Sequence, residues 1–175
     1  MAEGQTRRGP GNQVRKPLPL SYAPRMSHPS RAPGSAPRHS VSVAGAVVDS
    51  RGRFLVMRRA DNGAWELPGG VLELAKTPEA GVWREVWEET GVEVEVGGLS
   101  GVYKNLARGI VALVFRCRPV GGVLRVSAES SEVVWLTAGE VRERVAEVFA
   151  VRLLDAERDG VVVRSHDGWA FVDGS

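Results

Sequence analysis

The most informative part of the sequence is residues 69–92, GGVLELAKTPEAGVWREVWEETGV. Thr77 is a good N-cap, and Pro78 suits the first helical position because no N–H is needed there. Glu79 complements the positive end of a helix, and Gly91 is placed to end one. The stretch therefore predicts a sharp glycine turn followed by a helix that begins after Thr77 and ends at Gly91.

Three glutamates of this helix, Glu85, Glu88 and Glu89, stand at i, i+3 and i+4 and share one face. Like charges at these spacings repel by about 0.2–0.5 kcal/mol per pair. A divalent cation removes that repulsion, and carboxylates without His or Cys indicate Mg²⁺ or Mn²⁺ rather than Zn²⁺. Considered alone, the helix fits a solvated acidic face better. Trp83 and Trp87 lie roughly opposite, and we expect them to anchor the helix to a sheet.

The residues around the glutamates form a longer pattern. It resembles the Nudix box, which asks for Gly, five residues, Glu, seven residues, Arg-Glu-apolar, one residue, Glu-Glu, one residue and Gly-apolar. Eight of these nine specified positions match, namely Gly70, Arg84-Glu85-Val86, Glu88-Glu89 and Gly91-Val92. The preceding stretch from Trp65 to Gly69 also resembles the usual lead-in of that family.

The resemblance implies a fold and an activity. Nudix hydrolases have an α/β fold, an α/β/α sandwich with a mixed β-sheet between helices, and they hydrolyse nucleoside diphosphates linked to another moiety. By resemblance, the Mg²⁺ ligands are Glu85, Glu88 and Glu89, and the carbonyl of Gly69 often completes such a site. Arg84 would hold a glutamate in place through a charge-assisted bond.

The general base that takes a proton from the attacking water is left open by the resemblance. Family members use either a box glutamate, here Glu85, or an acid from a later loop. Glu129 and Glu132 are the candidates in this chain, with Glu129 slightly ahead. Both are equally well explained as ordinary loop acids.

One position departs from the box, because Lys76 stands where the first Glu is expected. Two effects of the lysine are expected: either it deprives Arg84 of a partner, with Glu73 in partial compensation, or its ammonium group contacts a substrate phosphate. Since the three glutamates remain, we expect a metal-dependent enzyme, and Lys76→Glu should raise turnover. The alternative is a catalytically weak or inactive nucleotide-binding regulatory module.

The remaining pattern is typical of a mixed sheet with two helices. Residues 41–48 and 54–59 are expected to pair as a hairpin. Further strands are expected at residues 92–96, 102–103, 110–116, 123–126, 133–136, 161–163 and 169–172. Thr137-Ala138-Gly139-Glu140 is a capping-box pattern that predicts a second helix running to about Ala156.

Residues 1–38 are rich in Pro, Gly, Ser and Arg, and we expect a disordered tail ahead of a Nudix domain over residues 39–175. Residues 1–39 hold seven Lys/Arg and one acid, whereas the remainder holds 16 Lys/Arg and 20 acids. A basic tail on an acidic domain could contact nucleic acid, although a tail without a dedicated partner is the favoured interpretation.

Composition narrows the class of protein further. The single cysteine, Cys117, lies in an apolar run and is expected in the core. No apolar stretch reaches the length of a membrane span or signal peptide, so we expect a cytoplasmic protein. The resemblance leaves a homodimer possible.

The substrate is poorly specified by the sequence. Candidates are nucleoside triphosphates, including oxidised ones, and ADP-ribose-like sugar nucleotides, with RNA ends less favoured. Trp65 and Tyr103 could stack on a base, although each also fits a packing role. Basic residues that could meet phosphate are Lys76, Lys104, Arg108 and Arg116.

Overall fold

The computed structural model describes residues 38–172. The predicted N-terminal tail therefore lies outside the described residues, apart from Arg38. The strands are β1 (Ser40–Val47), β2 (Phe54–Arg59), β3 (Trp65–Glu66), β4 (Gly69–Val71), β5 (Val92–Asn105), β6 (Ile110–Gly122), β7 (Ser130–Leu136), β8 (Val162–His166) and β9 (Phe171–Val172). The helices are α1 (Pro78–Thr90), α2 (Ala138–Arg144) and α3 (Glu147–Leu154), followed by a 3₁₀ turn at Asp155–Glu157.

Two sheets are formed. The larger is six-stranded and mixed, in the order β4-β1-β6-β5-β8-β9, with β1 parallel to β6 and β5 parallel to β8. The smaller contains β3, β2 and β7, which pair antiparallel. In the described part of the chain no helix is both long and apolar enough to cross a membrane.

The expected hairpin between residues 41–48 and 54–59 is wrong. β1 and β2 belong to different sheets, and only an isolated bridge between Val48 and Phe54 joins them. Both edges of β1 are already taken, one by β4 and the other by β6. The side chain of Asp49 accepts backbone hydrogen bonds from Arg51 and Arg53 and so shapes the turn that directs β2 to the second sheet.

Two further predictions are corrected. Residues 123–126 form no strand, and they instead run over the end of α1, where the N–H of Arg125 donates to the carbonyl of Thr90. The single helix expected from residue 138 to 156 is broken, because Val145 is extended (φ −98°, ψ 132°) and α3 begins after Ala146. The capping box at Thr137 and Glu140 is formed as predicted.

Helices cover both faces of the larger sheet. Val82 and Val86 of α1 pack with Val43 and Val47 of β1 on one face. On the other face α3, through Leu153, joins a second cluster that contains Ala46 and Val114 among others. Burying an aliphatic side chain of this kind contributes roughly 1.5–3 kcal/mol, so α1 is fixed mainly by its two valines. Cys117 is buried in the first cluster, as predicted.

The tryptophans of α1 do not anchor it. Trp83 and Trp87 are 43% and 39% exposed, and their rings stack on each other at a centroid distance of 6.1 Å. The helix turns Val82, Glu85, Val86 and Glu89 inward instead. Because the buried glutamates share the inward face with the valines, the tryptophans are left on the outer side.

Candidate active site

A glycine turn and two buried carboxylates form the centre of the site. The backbone N–H of Gly69 donates to Glu89 Oε2 over 2.8 Å, and Glu89 is only 3% exposed. A Cβ added at Gly69 would lie 2.4 Å from the carbonyl oxygen of Val43, and one at Gly70 would lie 2.6 Å from Glu85 Oε1. Gly69 therefore requires glycine, because a side chain there would displace the strand, whereas a side chain at Gly70 would push the Glu85 carboxylate aside.

Burial makes the two inward carboxylates hard to ionise together. Loss of water raises the pKa of Glu89 to about 8, and the charges of Glu85, Glu129 and Glu66 add to this while the Gly69 hydrogen bond opposes it. Burial also raises the pKa of Glu85, against the lowering effect of Arg84. A cation placed between them would remove the cost of keeping both groups charged.

Arg84 connects three carboxylates. Its guanidinium lies 2.5 Å from Glu85, 3.1 Å from Glu73 and 3.3 Å from Glu88. Its Nε is buried and, among the described residues, has no hydrogen-bond partner. Arg84 thus holds a glutamate, Glu85, as expected. Glu73, in the same turn as Lys76, is a further carboxylate partner of Arg84.

The three glutamates of α1 are only partly brought together. Glu85 and Glu89 face the glycine turn, whereas Glu88 is exposed and turns toward Arg84. Within residues 38–172 no group of three His, Cys, Asp or Glu side chains converges as a metal site would require. The chemistry of the donors still fits a hard cation, because two buried carboxylates lie against glycines that let a ligand approach closely.

The two candidate loop acids occupy different settings. Glu129 is exposed, its carbonyl accepts from Ala60 N–H, and its charge, after burial, raises the pKa of both Glu85 and Glu89. The next residue, Ser130, donates through its hydroxyl to the Glu89 carbonyl over 2.7 Å. Glu132 instead pairs with Arg58 on the second sheet. Glu129 is therefore the loop acid that the structure brings to the carboxylates.

The prediction that Tyr103 stacks on a base is wrong. Its side chain is fully buried and its hydroxyl donates to Asp155 over 3.0 Å, so no base can reach the ring. Trp65 is half-buried on β3 and packs at the edge of the core cluster.

The residues expected to bind phosphate differ in their surroundings. Arg116 is structural, because its guanidinium donates to the carbonyls of Leu99, Ala156, Arg158 and Gly160. Lys76 is exposed, and its backbone N–H donates to the Glu73 carbonyl. Lys104 and Arg108 lie at the end of β5 and in the turn that follows it.

Glu66 and Ser130 were not singled out from the sequence. Glu66 accepts a hydrogen bond from Arg59, and its negative charge adds to the effect of burial in raising the pKa of Glu89. Ser130 fixes the Glu129 loop to α1 through its hydrogen bond to the Glu89 carbonyl. Glu66 lies within the Trp65 to Gly69 lead-in, which was a signal for its importance. Ser130 carried no such signal, because its contact depends on a residue 41 positions away.

The geometry of the box region agrees with comparisons to known proteins. The family model described as NUDIX domain matches residues 38–156. This chain belongs to the Nudix family. A MutT-like protein from Streptomyces ambofaciens is 68% identical over 144 residues, which cover 82% of this chain and 93% of the relative. An ADP-ribose pyrophosphatase from Methanocaldococcus jannaschii is 31% identical over 101 residues, covering 54% of this chain and 60% of that protein.

Among solved structures, a Nudix hydrolase from Nitrosomonas europaea superposes with a TM-score of 0.66 at 24% identity, covering 75% of this chain and 82% of that one. This likeness concerns the fold. The predicted family, the α/β Nudix fold and the class of Nudix-type pyrophosphohydrolase are confirmed.

Proposed function

We propose that this chain uses a divalent cation, Mg²⁺ with Mn²⁺ as a substitute, to hydrolyse a diphosphate linkage in a nucleoside diphosphate derivative. The single observation that carries the proposal is the pair of buried carboxylates, Glu85 and Glu89, against the Gly69–Gly70 turn. Buried acids without basic partners of equal number are costly unless a cation joins them. The relative from Methanocaldococcus jannaschii, an ADP-ribose pyrophosphatase, is consistent with a substrate that contains such a linkage.

The residues that would hold the cation are Glu85, Glu89, Glu88 and the carbonyl of Gly69. When bound, the cation would neutralise charge on the diphosphate oxygens and acidify a nearby water. Glu88 is the ligand that must leave Arg84 to take part, because it now accepts a hydrogen bond from that side chain. Arg84 acts as a positioning residue, since it holds the Glu85 carboxylate.

Glu129 is the proposed general base. Its side chain is exposed and the neighbouring Ser130 is bonded to the Glu89 carbonyl, so Glu129 can accept the proton of water as the water oxygen forms its bond to phosphorus. The bridging P–O bond then breaks and the leaving phosphate departs. Glu85 stays the alternative base. Lys76 and Trp65 are proposed to contact the substrate phosphate and base, respectively.

The substrate we favour is a nucleoside triphosphate or an ADP-ribose-like sugar nucleotide. Binding of nucleic acid is not part of the proposal. We also propose that the chain forms a homodimer and is cytoplasmic, which light scattering and localisation of the tagged chain would test.

A catalytically weak nucleotide-binding module is the second candidate. Lys76 in the box and the engagement of Glu88 by Arg84 favour it. It predicts nucleotide binding without turnover.

The deciding experiment is a phosphate-release screen over a nucleotide panel with Mg²⁺, with Mn²⁺ and with chelator. We expect metal-dependent turnover for the wild type and at least about a hundredfold loss for Glu89→Gln, because a cation ligand is lost. Glu79→Gln is the matched control, since Glu79 is an exposed acid in the first turn of α1. Wild-type inactivity throughout the panel would favour the binding module.

A further inference from the structure

A row of exposed side chains runs along the outer side of α1. Glu79, Trp83 and Trp87 follow one another at intervals of four residues, so they lie about one turn apart on the same side of the helix. All three are exposed. The two indoles stack on each other, with 6.1 Å between the ring centroids and 5° between the ring planes. They therefore support each other in one flat apolar surface.

Arg125 extends this row at the C-terminal end of the helix. Its guanidinium carbon lies 4.7 Å from the centre of the Trp87 ring, and its Nη2 donates to the Trp87 carbonyl over 3.3 Å. The backbone N–H of Arg125 donates to the carbonyl of Thr90, the last residue of α1. We refer to Glu79, Trp83, Trp87 and Arg125 as the outer row, whose order along the helix is acid, indole, indole, arginine.

The composition of the outer row is typical of the centre of a protein interface, where Trp and Arg are enriched. With 43% and 39% of their surfaces exposed, Trp83 and Trp87 offer roughly 200 Å² between them. A standard interface buries about 800 Å² per partner, so the indoles need further surface around them. Val123 and Val126, on either side of Arg125 in the chain, are exposed as well and supply part of it.

The charges of α1 favour a protein partner over a membrane. Helices that lie on a membrane surface are rich in Lys and Arg on their polar face. In contrast, α1 contains four glutamates and one arginine. The outer row begins with an acid and ends with a base, so the surface that fits it must carry both signs of charge in the opposite order.

A second copy of the same helix carries that opposite order. In a two-fold dimer the same surface of both copies meets, so the surface must be complementary to itself. When two α1 helices pack antiparallel, Glu79 faces the partner subunit's Arg125, and Trp83 faces the partner subunit's Trp87. Antiparallel helices also bring opposite ends of their dipoles together.

The spacing along α1 agrees with such a pairing. With a rise of 1.5 Å per residue, Glu79 lies about 9 Å before the midpoint between the two indoles. Thr90, to which Arg125 is bonded, lies about 7.5 Å beyond that midpoint. A two-fold axis through the midpoint therefore brings acid and arginine to nearly the same level of the helix pair.

We propose that the outer row is the centre of a two-fold interface between two copies of this chain, with their α1 helices antiparallel. The inference rests on the homodimer of the proposed function and is independent of the catalytic assignments. The inward face of α1, which carries Glu85 and Glu89, stays outside the interface. Turnover per chain therefore does not require the dimer.

Sedimentation velocity of the full chain over a range of concentrations tests the surface. We expect a monomer that dimerises as the concentration rises, and a dissociation constant raised at least about tenfold by Trp83→Lys, because an aromatic at the centre of the interface is lost. Trp169→Lys is the matched control, since Trp169 is exposed outside the outer row. A wild type that stays monomeric overturns the proposal. A dimer that Trp83→Lys leaves intact also overturns it, although the homodimer itself then stands.

The order of the charges has a test of its own. Glu79→Arg places arginine against arginine across the interface, and Arg125→Glu places acid against acid, so each variant alone should dimerise more weakly than the wild type. An equal mixture of the two variants should recover the dimer, because both pairs are complementary in the heterodimer. No recovery on mixing overturns the antiparallel pairing.

Thermal unfolding establishes that each variant is folded before its mass is interpreted. If Arg125→Glu does not fold, the comparison of Trp83→Lys with Trp169→Lys decides the proposal. A wild-type monomer that binds anionic phospholipid vesicles would assign the outer row to a membrane surface and overturn the interface. Because mass is measured without substrate, absence of turnover in the nucleotide screen would contradict the hydrolase proposal alone.

Discussion

Arg84 Nη1 lies 3.1 Å from Glu73 Oε1, so a glutamate that precedes α1 is paired with the arginine that also holds Glu85. Glu73→Gln should therefore loosen Arg84 and, through it, Glu85. The Glu73 side chain is half exposed, which limits the pair to about 0.2–1 kcal/mol and the loss of kcat to at most about fivefold. Steady-state kinetics beside Glu79→Gln would check this, and equal rates for both variants would contradict it.

Lys76 occupies the one box position that departs from the family pattern, and it sits in the turn with Glu73. We expect Lys76→Glu to raise kcat severalfold, because a positive charge in the Glu73 turn is replaced by an additional acid that can pair with Arg84. Lys76→Gln is the matched control, which removes the charge without adding the acid. If Lys76→Glu is no faster than the wild type on any accepted nucleotide, the lysine is no handicap to turnover.

Gly70 lies so close to Glu85 that a methyl group there would displace the carboxylate. Gly70→Ala should lower kcat because the Glu85 carboxylate is pushed from its position, while the free energy of unfolding should change little because only the end of a flexible side chain has to move. Gly98→Ala provides the control, because no atom lies within 4 Å of a Cβ built there. That change should leave activity intact. Comparable activity losses in the two variants would remove the special role of Gly70.

The buried carboxylate of Asp155 predicts that the folded protein loses stability at acidic pH. Burial acts to raise its pKa, but the hydrogen bonds from Arg164 and Tyr103 outweigh burial and hold the pKa below the ordinary value of 3.8. Because the folded protein binds this proton less readily than the unfolded chain, the stabilisation is present above about pH 4 and is lost as the pH falls through the native pKa.

Asp155→Asn tests that linkage. The change should reduce the free energy of unfolding by about 2–3 kcal/mol at pH 7, since Arg164 loses a charged partner. The difference from the wild type should shrink below pH 4. Urea unfolding at pH 7, 5 and 3 measures it, with Asp159→Asn on the exposed loop as control. A difference that is constant with pH would exclude the carboxylate as its source.

Local signals in the sequence were sufficient for α1. Thr77 accepts a hydrogen bond from the N–H of Ala80, and Gly91 has the positive φ of 73° that ends the helix. The glycine turn is equally local, and so is the contact of Arg84 with a glutamate, which the structure shows to include Glu85.

The predictions that were wrong concern features that depend on contacts between residues distant in the sequence. The partners of β1 are residues 69–71 and 110–117, which no turn signal specifies. The buried Tyr103 donates a hydrogen bond to Asp155, which lies 52 positions further along the chain. The aromatic residue alone does not reveal this partner. Hydrophobicity alone predicts that Trp83 and Trp87 face the sheet, whereas the inward face of α1 is occupied by valines and glutamates.

The stacked indoles of Trp83 and Trp87, nearly parallel at 5°, stand on the same helix as the glutamates. We expect coupling between the two rings to give α1 a circular dichroism signal of its own, which should disappear when either ring is removed. Opening or tightening of this helix on addition of a cation can thus be followed optically, without an introduced label, by subtracting the spectrum of Trp83→Phe from that of the wild type.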